Sequence, residues 1–250
     1  MNIRTKQLHD LGHSIWLDNI TRRMLDEGTI KYYIDELSVT GLTSNPSIFD
    51  NAVTSSTDYD EAIRLKDNRQ ISDEDLFFEL AIEDIQRAAD LFLPVYRQSN
   101  GLDGFVSIEV SPLLAYDTDN TVRAAMQIHR KVDRPNAFIK IPGTPEGLPA
   151  IERTIAEGIS VNVTLLFSAE QYITASEAYL KGIERRIDQG LNPAVMSVAS
   201  VFVSRWDKAV SGRVGPELQN RLGLAIMQKT YTAYQRFLKS SRVQRIMNFG

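Results

Sequence analysis

Short runs rich in β-branched residues alternate with longer helical patterns along this chain, and no other sequence feature restricts its fold as much. Six runs predict strands, at residues 14–18, 40–45, 104–110, 137–141, 160–166 and 196–203. Apolar residues at helical spacing predict helices at 73–96, 121–131, 148–157, 169–189 and 217–238. The first of these begins with a capping signal, because Asp75 follows Ser72 by three positions. Strands that alternate with helices favour a parallel sheet with helical crossovers.

The order of these units favours an α/β barrel of the TIM (β/α)8 type. No dinucleotide-binding glycine fingerprint follows the first strand, which argues against an open doubly wound sheet. A chain of 250 residues suits one barrel domain spanning 1–250. The residues after 203 are too few for two more complete βα units. We therefore expect a barrel that is incomplete or trimmed after the sixth unit, with exposed strand edges that favour a homo-oligomer.

Composition excludes several classes of function. The formal net charge is −4, so no basic surface indicates nucleic-acid binding. The chain has no cysteine, which excludes disulfides, thiolate catalysis and zinc–thiolate sites. No run approaches the roughly 18 apolar residues that cross a bilayer, and residues 1–10 contain no apolar signal segment. We expect a cytoplasmic protein with neither nucleic-acid nor membrane partners.

Strand alternation gathers polar side chains on one face of every predicted strand. Residues two apart in a strand share a face, so Ser107 and Glu109 oppose the apolar residues between them. In the fifth run, Val161, Val163 and Leu165 are expected on the apolar face. A parallel barrel brings the carboxyl ends of its strands to one rim, where active sites of this fold lie. The side chains expected there are Asp18, Asn45, Ser107, Glu109, Phe138, Lys140, Asn162, Thr164, Ser200 and Phe202.

Lys140 is the candidate nucleophile of this set. Apolar neighbours such as Phe138, Ile139 and Phe202 disfavour a charged amine, and a neutral amine can attack a carbonyl to form an imine. A protonated imine accepts electrons, so a neighbouring carbon–carbon bond can break. Asp18 and Glu109 are the carboxylates available for proton transfer. No histidine lies at a strand exit and no carboxylates cluster, which disfavours a metal-dependent mechanism.

These segments resemble the transaldolase family, in particular its longer bacterial members. The similarity runs in order from about residue 11 to about residue 207, and six motifs in sequence make it specific. The matching segments are SIWLDNITR at 14–22, TGLTSNPSIF at 40–49, FVSIEVSP at 105–112, FIKIP at 138–142, VNVTLLFS at 161–168 and SVFVSR at 200–205.

The resemblance implies catalytic roles at matching positions. Lys140 would form an imine with the C2 carbonyl of a ketose phosphate, and no cofactor or metal would be needed. Asp18 would act as acid and base on the C4 hydroxyl during C3–C4 cleavage. Glu109 and Thr164 would hold the water that carries protons during imine formation and hydrolysis.

The same resemblance implies a substrate-binding set. Asn45 and Asn162 would bind hydroxyl groups of the sugar phosphate, and Asn162 would also retain the three-carbon enamine. Ser200 would line the pocket and Phe202 would form its wall. Arg205 would bind the phosphate, because its planar guanidinium matches the phosphate oxygens.

The function implied is transfer of a three-carbon dihydroxyacetone unit from a ketose phosphate to an aldose phosphate, a reaction of the pentose phosphate pathway. A carboligase or aldolase of special metabolism, with the same lysine and another acceptor, is a second interpretation. A non-catalytic, degenerate barrel is a third. The retention of polar residues at every strand end argues against the third, since a scaffold could replace them by apolar residues.

Overall fold

The computed structural model describes residues 2–66 and 71–249, and these form parallel strands joined by helices. The strands are β1 Ile15–Leu17, β2 Val39–Thr43, β3 Val106–Glu109, β4 Ala137–Pro142, β5 Val161–Leu166 and β6 Ser197–Val201. The helices are α1 Ile3–Asp10, α2 Arg22–Asp26, α3 Thr29–Leu37, α4 Pro46–Ser55, α5 Asp60–Lys66, α6 Asp73–Gln98, α7 Thr118–Val132, α8 Gly147–Ala156, α9 Ala169–Asp188, α10 Ser204–Val210, α11 Leu222–Leu238 and α12 Ser241–Met247.

The strands are hydrogen-bonded in chain order, from β1 to β6. The pairs β1–β2, β2–β3 and β5–β6 are parallel, as helical crossovers require. The predicted α/β class is therefore confirmed, and six parallel strands with their helices agree with part of a TIM-barrel fold. Within residues 2–66 and 71–249, no helix is long and apolar enough to cross a membrane.

Helix boundaries follow local sequence signals. The helix α6 begins at the predicted cap, where the Asp75 backbone N–H donates to Ser72 Oγ at 3.1 Å. The helix predicted at 217–238 starts later, at Leu222, and a 3₁₀ turn, Pro216–Leu218, precedes it. Asn220 separates the two because its φ of 57° lies in the left-handed region, which a right-handed helix cannot contain.

The chain divides into two compact units. The first comprises the described residues of Met1–Pro112 and Gln127–Ile139, and the second those of Leu113–Met126 and Lys140–Gly250. The boundary falls inside β4, between Ile139 and Lys140. A single domain over residues 1–250 stays a prediction.

The core of the first unit lies where α6 packs on β2 and β3. Ala81, Ile85, Ala88 and Phe92 recur at helical spacing and are buried against the sheet. The two small alanines let the helix approach closely. Leu42, Val106 and Ile108 supply the apolar face of the strands.

Asn136 joins α6 to the loop before β3 in this unit. Its side chain is fully buried, and its Nδ2 donates to the carbonyls of Ala89 at 2.9 Å and Gly104 at 2.8 Å. Those two carbonyls lie in different elements, so one amide satisfies both. Burial of backbone acceptors is tolerated because they are hydrogen-bonded.

The second unit has its core between α8, α9 and β5. Gly182 allows the two helices to come together, since a Cβ at that position would stand 2.7 Å from the Glu152 carbonyl oxygen. Ile151, Ile155, Leu180 and Ile183 are buried around this contact.

The later helices of the second unit are held to α9 by ion pairs. In α12, the Arg242 guanidinium contacts both oxygens of Glu184 at 2.7 Å and also pairs with Glu177. In α11, Lys229 Nζ lies 2.9 Å from Glu170 Oε1. A bidentate guanidinium–carboxylate pair is the stronger of these arrangements.

The strand β5 departs from the predicted alternation at Leu165. The register with β6 shifts between Val163 and Leu166, and Leu165 has a φ of 59° in the left-handed region. Leu165 is consequently exposed, while Val161 and Val163 are buried and Leu166 occupies a buried place. The expectation that Leu165 shares the apolar face was wrong, because an irregular residue in a strand reverses the alternation after it.

Candidate active site

Asp18 and Asn45 are brought together in the first unit. Asp18 directly follows β1, and Asn45 is the residue before α4, two positions after β2 ends. The parallel register pairs Trp16 with Gly41, which brings the ends of the two strands side by side. Asn45 Nδ2 donates to Asp18 Oδ1 at 2.6 Å. The Asp18 carboxylate is exposed and oriented by this amide.

Glu109 ends β3 on the same face as Ser107, as strand alternation predicted. Glu109 is half-buried, and Ser107 is fully buried. Ser44 fixes the adjoining strand end, since its backbone N–H and its Oγ both donate to the Ser107 carbonyl, at 3.1 and 2.9 Å. Glu109 and Asn45 line one small cavity of the first unit, whose other walls include Ile20 and Phe49. A carboxylate and an amide therefore share a largely apolar surrounding.

Three aromatic rings are stacked in the first unit, on the face that alternation assigns to Glu109. The Trp16 and Phe138 ring centroids are 6.1 Å apart, and those of Phe138 and Phe105 are 4.1 Å apart. Phe105 and Phe138 are buried. Gly41 leaves space for the indole, because a Cβ there would lie 2.4 Å from Trp16 Cε2. The amino-terminal part of this face is thus aromatic, and its carboxyl-terminal part is polar.

Lys140 lies in the middle of β4, in the second unit, and only 3% of its surface is exposed. Lysine is rarely buried to this degree, because removing its charge from water is costly. The flanking residues Ile139 and Ile141 are fully buried. The predicted desolvation of Lys140 is therefore present in the structure.

Asn162 and Ser200 meet between β5 and β6. Asn162 pairs with Val198 in register, so Ser200, two residues on, shares its face. Ser200 Oγ donates to Asn162 Oδ1 at 3.0 Å, and Asn162 is 1% exposed. Thr164 is also buried, and its backbone carbonyl accepts from Gly143 N–H at 2.8 Å. The amide and hydroxyl groups predicted to bind substrate are held by the strands.

Phe202 and Arg205 form a second group in this unit, where β6 leads into α10. Phe202 N–H donates to the Leu166 carbonyl at 2.9 Å, and its ring stacks on Phe167 with centroids 5.1 Å apart. The Arg205 guanidinium carbon lies 5.1 Å from the centre of the Phe202 ring. Arg205 is exposed, so its guanidinium is accessible to an anion.

Sequence reasoning missed a buried polar group in the first unit. Asp84 is fully buried in α6 and accepts hydrogen bonds from the Tyr59 hydroxyl at 2.8 Å and from Arg22 Nε at 3.0 Å. The signal was present in the sequence, because Asp84 lies within the apolar stripe formed by Ala81, Ile85 and Ala88. A charged residue in such a stripe requires a buried partner.

Metal ligation finds no support among the residues that the structure describes. Within them, no three or more His, Cys, Asp or Glu side chains are grouped so that they could hold a metal ion. Of the two carboxylates predicted to act in catalysis, Asp18 accepts a hydrogen bond from the Asn45 amide, and Glu109 lines the same small cavity as Asn45. Proton transfer is the chemistry that such carboxylates can perform.

Parallel strands with helical crossovers, and polar side chains at the strand ends, define an α/β protein of the TIM-barrel class. The chain belongs to the Transaldolase/Fructose-6-phosphate aldolase family, whose model matches residues 15–246. The family recognised from the sequence motifs is thereby confirmed.

Curated relatives are similar to this chain along nearly its whole length. A transaldolase of Saccharopolyspora erythraea is 43% identical over 255 residues, which cover 100% of this chain and 69% of that protein. A transaldolase of Thiobacillus denitrificans is 45% identical, covering 97% of this chain and 68% of its own length. One from Trichodesmium erythraeum is 38% identical over 252 residues, which cover 94% of this chain and 66% of that protein. The chain therefore spans about two thirds of the length of these relatives.

Proposed function

We propose that this protein is a transaldolase, which transfers a three-carbon dihydroxyacetone unit from a ketose phosphate to an aldose phosphate. Transaldolases at 36–45% identity support this function and, with it, a role in the pentose phosphate pathway. The single observation that carries the chemistry is the burial of Lys140 in the middle of a strand, at 3% exposure. The amine of a buried lysine is kept apart from bulk water, which suits an imine intermediate that water would otherwise hydrolyse.

The proposed reaction begins with addition of Lys140 Nζ to the C2 carbonyl of the ketose phosphate. Loss of water from the adduct forms an iminium ion, with Glu109 and Thr164 holding the water that carries protons. Asp18 then takes the proton of the C4 hydroxyl, and the electrons of the C3–C4 bond move into the iminium ion. An aldose phosphate leaves, and an enamine of three carbons stays on Lys140. Addition of this enamine to an acceptor aldehyde, followed by hydrolysis, completes the transfer without a cofactor.

The proposed binding residues keep the sugar in position for these steps. Asn45 and Asn162 bind hydroxyl groups, and the Ser200 hydroxyl orients the Asn162 amide by its hydrogen bond. Phe202 forms an apolar wall. Arg205 binds the phosphate, which its exposed guanidinium can contact through two hydrogen bonds.

We infer in addition a single-domain, cytoplasmic enzyme that takes sugar phosphates as substrates. The absence of cysteine from the sequence is in keeping with a reducing compartment. Self-association is also proposed, because β1 and β6 are the terminal strands in the order that the described residues form. Terminal strands present backbone groups that a second chain can pair with.

Borohydride reduction with fructose 6-phosphate tests the role of Lys140. We expect a reduced sugar adduct on the peptide that contains Lys140, detected by mass spectrometry, and none in the Lys140→Ala variant. Lys181→Ala is the matched control, because Lys181 is an exposed lysine of the same unit and its removal should leave the adduct unchanged. Folded protein that leaves Lys140 unmodified would reject the mechanism.

A second variant separates the role of Asp18 from that of Lys140. Asp18→Asn should retain the adduct but suppress release of the aldose phosphate, because an amide cannot accept the proton of the C4 hydroxyl. Loss of the adduct itself in this variant would contradict the proposed role. A product assay with several aldose phosphates would then distinguish a transaldolase from a carboligase with another acceptor.

A further inference from the structure

Arg22, Tyr59 and Asp84 form a polar network in the first unit, immediately after the segment that carries Asp18. The Tyr59 hydroxyl donates to Asp84 Oδ2 at 2.8 Å and accepts from the Arg22 backbone N–H at 3.0 Å. Arg22 Nε donates to Asp84 Oδ1 at 3.0 Å. The Arg22 guanidinium also lies over the Tyr59 ring, 4.6 Å from its centre. Three elements, α2, α6 and the residue before α5, are joined by these contacts.

The network is buried, and the free energy lost when its polar groups leave water requires an explanation. Tyr59 and Asp84 are fully buried, and 11% of the Arg22 side chain is exposed. Burial raises the pKa of Asp84, and the neighbouring Arg22 guanidinium opposes that shift. Burial also raises the pKa of Tyr59, so its hydroxyl stays protonated and continues to donate. Apolar residues of similar size often pack as stably as a buried ion pair, so stability alone does not account for this choice.

The geometry of the network shows what it holds. Arg22 is the first residue of α2, and its backbone N–H donates to the Tyr59 hydroxyl, which in turn donates to Asp84 of α6. The Arg22 side chain donates to Asp84 directly. Only residues 19–21 separate Arg22 from Asp18. Within this short connection Ile20 is 1% exposed, and Thr21 caps α2 by accepting from the Met24 N–H at 3.2 Å. The connection is therefore fixed at its carboxyl end by the network and at its amino end by β1.

We propose that Arg22, Tyr59 and Asp84 are positioning residues for Asp18. By fixing the connection after β1, they hold the Asp18 carboxylate at hydrogen-bond distance from Asn45 and in the orientation that proton transfer requires. This inference rests on the proposed function, in which Asp18 removes the proton of the C4 hydroxyl. It predicts that damage to the network impairs cleavage and leaves attack by Lys140 intact.

Tyr59→Phe tests the inference, because it removes the bridging hydroxyl and keeps the ring. Trapping of the Lys140 adduct by borohydride should equal that of the parent protein. Single-turnover release of the aldose phosphate should fall by about 10- to 100-fold, the order expected when a catalytic group is displaced by about an ångström. Tyr179→Phe is the matched control, since it also loses a tyrosine hydrogen bond, to the Val195 carbonyl at 2.9 Å, but lies in the second unit.

Two results would overturn the inference. One is parent-like release in folded Tyr59→Phe, and the other is an equal loss of adduct and release, which would indicate general damage. Arg22→Lys provides a second variant, because it keeps the charge and the backbone N–H but loses the planar fork. Arg22→Lys should form the Lys140 adduct as the parent does, and it should release the aldose phosphate more slowly.

Hydrogen exchange tests the positioning independently of activity. The amides of residues 19–22 should exchange at least about 10-fold faster in Tyr59→Phe than in the parent, and at the parent rate in Tyr179→Phe. Unchanged exchange in Tyr59→Phe would refute the positioning role even if the protein proved inactive. A parent protein that forms no adduct would instead refute the proposed function, so the two failures are distinguishable.

Discussion

Replacing Gly41 by alanine is expected to destabilise the first unit through one contact, that with the Trp16 indole. The added Cβ would lie 2.4 Å from Trp16 Cε2 and 2.6 Å from Nε1. Carbon atoms in contact are ordinarily about 3.5–4.0 Å apart, so either the ring or the strand must move by about 1 Å. The ring is not free to do so, because it stacks on Phe138, which in turn stacks on Phe105.

Two opposing contributions determine the size of the effect. Alanine in a strand is favoured over glycine by about 0.5–1 kcal/mol, because the unfolded chain loses less entropy. Overpacking of a filled core costs about 1–3 kcal/mol. The contact distance places Gly41→Ala toward the upper part of that range, so we expect a net loss of about 1–2 kcal/mol in the free energy of unfolding.

A double-mutant cycle isolates the contact. Unfolding in urea is followed by far-ultraviolet circular dichroism, since fluorescence would change when Trp16 is replaced. Gly41→Ala is measured in the parent and in the Trp16→Leu background, where the smaller side chain leaves room for the methyl group. We expect a coupling energy of about 1 kcal/mol or more between the two positions. An equal loss in both backgrounds, or no loss in the parent, would refute the steric argument.

Three further predictions follow from the packing and charges of the two units. Asn136→Ala should lower the free energy of unfolding by about 1–3 kcal/mol, because the buried Gly104 carbonyl loses a donor, and a loss of less than about 0.5 kcal/mol in urea unfolding would contradict this. Arg242→Ala should speed amide hydrogen exchange throughout α12, measured by mass spectrometry, because the ion pairs of Arg242 with Glu184 and Glu177 are lost. Unchanged exchange would show that these ion pairs do not stabilise α12. The hydrogen bond from Lys229 lowers the pKa of Glu170 to about 2 from its usual 4.5, so the pair stabilises the folded state above pH 4.5 and this contribution disappears as the pH falls toward 2. Lys229→Met should raise the Glu170 pKa in a carboxylate titration by nuclear magnetic resonance, and high salt should reduce the difference between the variants.

Much of the architecture could be predicted from local pattern. The six β-branched runs became β1 to β6, with bounds that differ by a few residues, because β-branched residues favour extended backbone. The long helix α6 begins at its predicted cap, Ser72. Short helices such as α2 and α10 were not predicted, because segments of five to seven residues carry too little periodicity to be recognised.

The polar face of the strands was equally predictable, since alternation is a local property. Ser107 and Glu109 share a face, and Asn162 meets Ser200 across two strands, as that rule requires. The rule failed at Leu165, whose left-handed conformation depends on the shifted register between β5 and β6. Register belongs to a pair of strands, so neither strand alone encodes it.

The sequence by itself determined the fold class, the family and the residue types at the strand ends. These properties depend on periodicity and on short motifs, which are written within a few consecutive residues. Tertiary structure alone decided that Asp18 accepts a hydrogen bond from the Asn45 amide and that the Trp16 ring occupies the space above Gly41. It also decided that Asp84 accepts hydrogen bonds from Arg22 and Tyr59, which are far from it in the chain. Such contacts arise because folding brings distant segments within hydrogen-bond distance. A buried charge is paired with the polar groups that the fold places beside it, whatever their separation in the sequence.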